Sequence, residues 1–389
     1  MFIPSQRRRG VSYTCKRYQT SEEEGECLDR ATLQDKFYGC IAGVHIGSSM
    51  GAIVEGYNGW DYNRIEREFG TLDDLYCYEH YENGWIREPG TTEDGVERQK
   101  LMITAVIEKQ DRVTAEDVRR IWLRDIRPEA AGMISEKFEA ALLAMARSGI
   151  PARDLGKYCD YAGLNSFSRS CHPIGLINAG DEAGAVEDVL EVGQLYQTSN
   201  SRGLKWACVT AAAIAAATRP NATADSVIGA IYDYCDPDEV VRELDRGLRI
   251  ASGCSDFREL RAAFDGVYNG CGVPYYMSYA NEVVTKGVCI FRMTGGVLYD
   301  AMIAGANMGR DTDCTAAVAA GIAGALSGIA SMPEKLIQQV DRATDLIAFT
   351  NSKRTMKESA DGLYGAFQAR LRRMKEHATL MGEFSGAAN

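Results

Sequence analysis

Between Gly305 and Gly328 the chain reads GANMGRDTDCTAAVAAGIAGALSG, and most of this stretch is Ala, Gly, Val and Ile. A helix of that composition has no polar face, so other elements must enclose it and the fold has to be built around it. At its entrance stand Asp311 and Asp313, one residue apart. Buried carboxylates this close raise each other's pKa and are rarely kept unless a cation or a proton lies between them. The plainer reading is that one aspartate caps the helix and the other faces water. On this segment alone both readings stay open.

A second acidic group lies in PGTTEDGVERQKLMITAVIEK, from Pro89 to Lys109. Thr91, Thr92, Glu93 and Asp94 precede a run with apolar Leu101, Met102, Ala105 and Val106. Thr-x-x-Asp before such a run fits a capping arrangement. A hydroxyl beside two carboxylates equally suits a hard cation such as Mg²⁺, Mn²⁺ or Ca²⁺. Further upstream Gly39, Gly43, Gly47 and Gly51 recur every fourth residue and would share one helix face. Each costs a helix about 1 kcal/mol relative to alanine, so close packing must compensate. The run is too short for a membrane span and is broken by His45, Ser48 and Ser49. Glu55 closes it among apolar neighbours, a candidate buried carboxylate.

Helical periodicity predicts further helices over 116–124, 134–147, 185–196, 205–217, 224–234 and 237–250, with Gly, Pro and Asn between them. Strand-like alternation is nearly absent, so the class is all-α. The run WACVTAAAIAAAT, 206–218, is too small-residued for a surface and is placed at the centre. Residues 1–32 read as a flexible extension, with five basic residues in the first twenty and then Glu22, Glu23 and Glu24. A helical domain follows over 33–350, then a charged helix and tail over 351–389. The net charge of −11 argues against nucleic-acid binding. Twelve cysteines without CxxC spacing read as reduced thiols, and the cytoplasm is the default compartment.

Taken together, these segments resemble the ADP-ribosylglycohydrolase family. Its pattern is a glycine-spaced helix ending in a glutamate, then Thr-Asp-Asp, then Gly-Asp-x-Asp-Thr leading into a small-residue helix. A fourth segment, SRSCHPIGLINAGD from Ser168 to Asp181, is similar to the family's mid-chain loop with its Pro-Ile-Gly step. The resemblance spans about Asp35 to Pro333. It departs at Ser48 for the usual aspartate, at Glu93 within Thr-Asp-Asp, at Gly95 for a threonine, and at Cys314 for the closing threonine.

The resemblance implies a compact single-domain orthogonal helical bundle with a metal site at helix N-termini. It implies hydrolysis of an N- or O-glycosidic bond at ribose C1 of an ADP-ribosylated substrate, through an oxocarbenium-like state. Divalent metal, Mg²⁺ first and Mn²⁺ or Ca²⁺ next, as one or two ions, would be held by Thr92, Glu93, Asp94, Asp311 and Asp313. Asp311 or Asp313 would polarise water and Glu55 would contact the ribose. Substrate contacts would come from Asn165, Ser166, Ser168, Ser170, His172, Gly309 and Tyr275. Two alternatives stay open: an N-glycosidase for a small nucleoside-like or NAD-derived riboside, and a non-catalytic, crystallin-like structural member.

Two local expectations complete the reading. The aromatic stretch Trp60, Tyr62, Phe69, Tyr76, Tyr78, Tyr81 and Trp85 reads first as a layer packed on the helices, and second as a wall for ring stacking. Cys314 reads as a small hydrophobe turned into helix packing, rather than a sulfur facing the site.

Overall fold

The computed structural model describes residues 31–56, 59–79, 84–127, 137–159, 162–165, 167–268 and 277–386. The helical unit runs from Ala31 to Asn389, and its described residues are all-α apart from one short hairpin. The hairpin pairs Tyr78–Glu79 antiparallel with Ile86–Arg87, setting Tyr78 opposite Arg87. The expected helices are present: Ala115–Asp125, Lys137–Arg147, Glu182–Val192, Arg202–Ala217, Ala224–Tyr234 and Val240–Ala251. Residues 1–30 of the expected extension lie outside the described residues.

The small-residue helix is Thr312–Ser327, and every residue from Thr312 to Ala325 is buried. It is wrapped by the helices Leu33–Ala52, Ala280–Met293, Leu298–Ala306 and Arg202–Ala217. Enclosure on all sides explains the absence of a polar face. The tightest neighbour is the glycine helix, Leu33–Ala52, which begins in a Thr32/Asp35 capping box. A Cβ on Gly43 would meet the Ala320 backbone oxygen at 2.5 Å, and one on Gly47 would meet the Ala316 oxygen at 3.1 Å. At the ends of the seam, Gly39 lies against Gly324 and Gly328, and Gly51 against Thr312 and Asp313. The glycines are there because two backbones touch, not because the chain bends.

This seam sets the two helices antiparallel, so the end of one meets the start of the other. Thr312 Oγ1 donates to the Gly51 carbonyl at 2.7 Å, and the Gly56 N–H donates to the Arg310 carbonyl at 2.9 Å. The small-residue run at 206–217 is buried beside them, as its composition predicts. Its C-terminal carbonyls, on Ala217 and Arg219, accept from buried Lys36 Nζ at 2.8 and 3.2 Å. The C-terminal helix Met356–Gly386 joins the same body: Tyr364 and Phe367 pack on Phe37, at 5.6 and 5.9 Å between ring centres. Buried Arg370 donates to the Ile177 carbonyl. The described cysteines are free thiols, most of them buried. Among the described residues no helix is long and apolar enough to cross a membrane.

Candidate functional site

The glycine seam delivers Glu55, just past one helix, to Asp311 and Asp313, at the start of the other; all three are 2–6% exposed. Asp311 stands at the N-cap position, yet its side chain makes no capping hydrogen bond. Its Oδ2 instead accepts from Asn165 Nδ2 at 2.9 Å. Asp311 Oδ1 and Asp313 Oδ1 are buried with no hydrogen-bond partner. The capping reading therefore fails here, and two carboxylate oxygens are left buried without partners. The turn that aims them passes through Gly309 and Arg310, both at positive φ (75° and 64°). For Arg310 that conformation is unusual. It is secured by Glu282, whose two oxygens accept from the guanidinium at 2.6 and 2.8 Å.

The second acidic group splays apart as it enters the helix Asp94–Lys109. Glu93, at its N-cap, likewise makes no side-chain cap. It pairs with buried Arg87 at 2.8 Å and accepts from the Tyr78 hydroxyl. Thr92 Oγ1 donates to Glu97 at 2.9 Å and accepts from Lys100 Nζ at 3.1 Å. Asp94 alone turns toward the central acids, and arginines meet it there. Arg98 lies 3.1 Å from its carboxylate, and Arg169 makes a short contact with the same oxygen. Arg169 also reaches Asp313 at 3.6 Å and Cys314 Sγ at 3.2 Å.

Cys314 corrects the expectation for it. The residue sits in the buried core, but its sulfur lies beside the acids, and ligand atoms of Asp311, Asp313 and Cys314 all lie within 4.8 Å of one another. This buried group can hold a metal ion. The orphaned oxygens fit that use, because a carboxylate stripped of water and partners is costly unless a cation serves it.

The electrostatics follow the same division. Burial, with Asp313 and Asp311 close by, pushes the Glu55 carboxyl well above the ordinary range, against the pull of Arg169. Burial and Asp311 raise Asp313 in the same way, again against Arg169. For Asp94 burial is outweighed by Arg169 and Arg98, which hold its carboxyl below the ordinary value. Burial lifts the Cys314 thiol far up. A divalent ion would offset the same like-charge repulsion that raises Glu55 and Asp313.

The remaining expected contacts scatter. Ser168 donates to the Asn165 carbonyl at 2.7 Å, and Ser170 lies 3.4 Å from the Phe167 carbonyl. His172 is fully buried against Gly321, with Nδ1 3.1 Å from Gln99 Nε2, and burial lowers its pKa to about 3. Gly309 packs on the Tyr62 backbone. Ser166, Tyr81 and Tyr275 lie outside the described residues. Trp60, Phe69 and Tyr76 pack in a row, at 5.7 and 5.4 Å between ring centres, as a layer would.

Arg169 and Arg98 are the residues that the sequence reading passed over. The available signal was that Arg169 is the sole cation of SRSCHPIGLINAGD.

The family model for ADP-ribosylglycohydrolase matches residues 29–372, and the chain belongs to that family. A solved structure described as an ADP-ribosylglycohydrolase-related protein complex aligns with a TM-score of 0.58 at 15% identity, covering 87% of this chain and 98% of that one. At that identity the likeness is one of fold, and it agrees with the all-α architecture. No curated protein matches the chain. Family membership places its chemistry with the hydrolysis of glycosidic bonds.

Proposed function

We propose that this member of the ADP-ribosylglycohydrolase family cleaves the N- or O-glycosidic bond at ribose C1 of an ADP-ribosylated substrate. The observation that carries the reading is the buried meeting of Glu55, Asp311 and Asp313, with two carboxylate oxygens left without partners. A divalent ion, Mg²⁺ or Mn²⁺ by the hardness of the oxygen donors, would be held by Asp311 and Asp313 beside the Cys314 sulfur. When bound it supplies Lewis acidity and a more acidic water.

The chain's own groups do the rest. Asn165 fixes the Asp311 carboxylate through its 2.9 Å hydrogen bond, so that carboxylate meets the substrate side pre-aimed. Asp311 or Asp313, beside the ion, polarises the attacking water and takes up its proton. Glu55 faces the ribose and, once ionised, stabilises positive charge as the C1 bond breaks. Arg169 and Arg98 keep Asp94 ionised throughout. Water attacks C1, the bond to the leaving nitrogen or oxygen breaks, and the leaving group departs with a proton.

The test is product release. Protein carrying ADP-ribose should yield free ADP-ribose, and Glu55→Gln should abolish it. Turnover confined to nicotinamide-type ribosides would move the reading to a small-riboside N-glycosidase. Turnover of neither would favour the structural reading.

A further inference from the structure

We propose that the Arg169 guanidinium takes the place of a cation in this site, so that the chain binds a single divalent ion, on Asp311 and Asp313. This rests on the metal-assisted reading above and fixes its stoichiometry. Four carboxylates converge from three parts of the chain: Glu55, Asp94, and the pair Asp311 and Asp313, all nine-tenths or more buried. Two metal ions among them would each need oxygens from more than one of these groups. The span between Asp94 and Asp313 is already taken. Arg169, 7% exposed, bonds Asp94, lies 3.6 Å from Asp313, and directs a second nitrogen to Cys314 Sγ at 3.2 Å.

The room for it is built in. A Cβ on Gly95 would stand 3.0 Å from Arg169 Cδ and 3.3 Å from its Cγ and Nε, so any larger residue at 95 would press on the arginine stem. Gly95, Arg169 and Cys314 thus form one arrangement: a space, the cation that fills it, and a neutral sulfur where a further oxygen would draw a second ion. Arg98 shares one Asp94 oxygen with Arg169 and also pairs with Glu139. A guanidinium is a permanent cation with directed N–H groups and cannot be lost to chelation. What remains unserved is Asp311 Oδ1 and Asp313 Oδ1. That is a place for one ion.

The experiment counts Mn²⁺. Chelator-treated wild-type protein is reloaded, desalted and measured by elemental analysis and electron paramagnetic resonance. One ion per chain with the spectrum of an isolated Mn²⁺ is expected. Arg169→Ala should take up a second ion and show a spin-coupled spectrum. Wild-type protein with two coupled ions, wild-type protein with none, or a folded Arg169→Ala still holding one, would each overturn the proposal. If Arg169→Ala does not fold, the wild-type count and spectrum decide alone. Hydrolysis is not read in this measurement, so the count can fail while the ADP-ribosyl reading stands, and the reverse.

Discussion

Two helix starts in this protein both carry acids and a threonine and put them to opposite uses. At Ala115–Asp125, Thr114 and Asp117 form a capping box, each side chain bonding the other's backbone. At Thr312–Ser327, Asp311 takes the N-cap position and Asp313 the second helical one, and Asp311 makes no cap. The first start is at the periphery, where Lys109 also reaches Asp117, at 2.6 Å. The second is sealed by the glycine seam, and its acids face other acids. The neighbours decide between the uses: Asp117, though largely buried, is met by Lys109 and the helix's own N–H groups, whereas Asp311 and Asp313 face other acids and have to be served by something else. An acid at a helix start therefore says little until its surroundings are known.

The comparison sets the order of the expected effects. Asp313→Asn or Asp311→Asn should lower turnover of ADP-ribosylated protein by roughly 10²–10⁴-fold with secondary structure intact, as steady-state kinetics and circular dichroism would show. Equal activity in either variant would remove the contrast altogether. Gly51→Ala forces a methyl against the Thr312 and Asp313 backbone. Overpacking of this kind costs about 1–3 kcal/mol, and denaturant unfolding should show it together with reduced turnover. Thr114→Ala removes only the peripheral cap. It should cost about 1 kcal/mol and leave kcat unchanged.

The smallest effect is one of pH. Burial tends to raise Asp117, but Lys109 and Thr114 outweigh it and hold its carboxyl at about 2, against an ordinary 3.8. Its stabilisation is thus complete above the ordinary value and is lost as pH falls through the depressed one. Acid unfolding of Asp117→Asn should lack this component between about pH 4 and 2. An unchanged acid limb would show that the capping box contributes nothing there.

The scaffold was legible because helical period and punctuation are local. Ala224–Tyr234 appears with the limits its pattern suggests, and the helix at 116–124 is longer by one residue at each end. The predicted start at Pro237 failed, since the helix begins at Val240 after Asp236 has accepted from the 238 and 239 backbone N–H groups. The glycine spacing announced a close approach, and the composition of 312–327 announced burial. The site was legible only in outline. Thr92 and Glu93 precede the helix that Asp94 opens, Glu93 in extended backbone, and each of the three side chains has its own partner. Lys100 and Glu97 take the first and Arg87 the second. Arg169 lies 75 residues from Asp94 and 145 from Cys314, and no local pattern joins positions so far apart. Cys314 was misplaced for the same reason: its direction is set by the seam, not by its neighbours in sequence.

The central claim is that the acids at the start of the Thr312–Ser327 helix serve a bound cation rather than the helix. Melting temperatures of wild type and Asp313→Asn, each with chelator and with saturating Mn²⁺, test it directly. Without metal the substitution removes a carboxyl whose ionisation burial and Asp311 oppose, so the variant should melt higher than wild type. With metal it removes a ligand, so the variant should melt lower and gain less from Mn²⁺ than wild type does. A crossing of the two rankings is the result predicted. The same ranking in both conditions, with neither protein responding to Mn²⁺, would contradict the account.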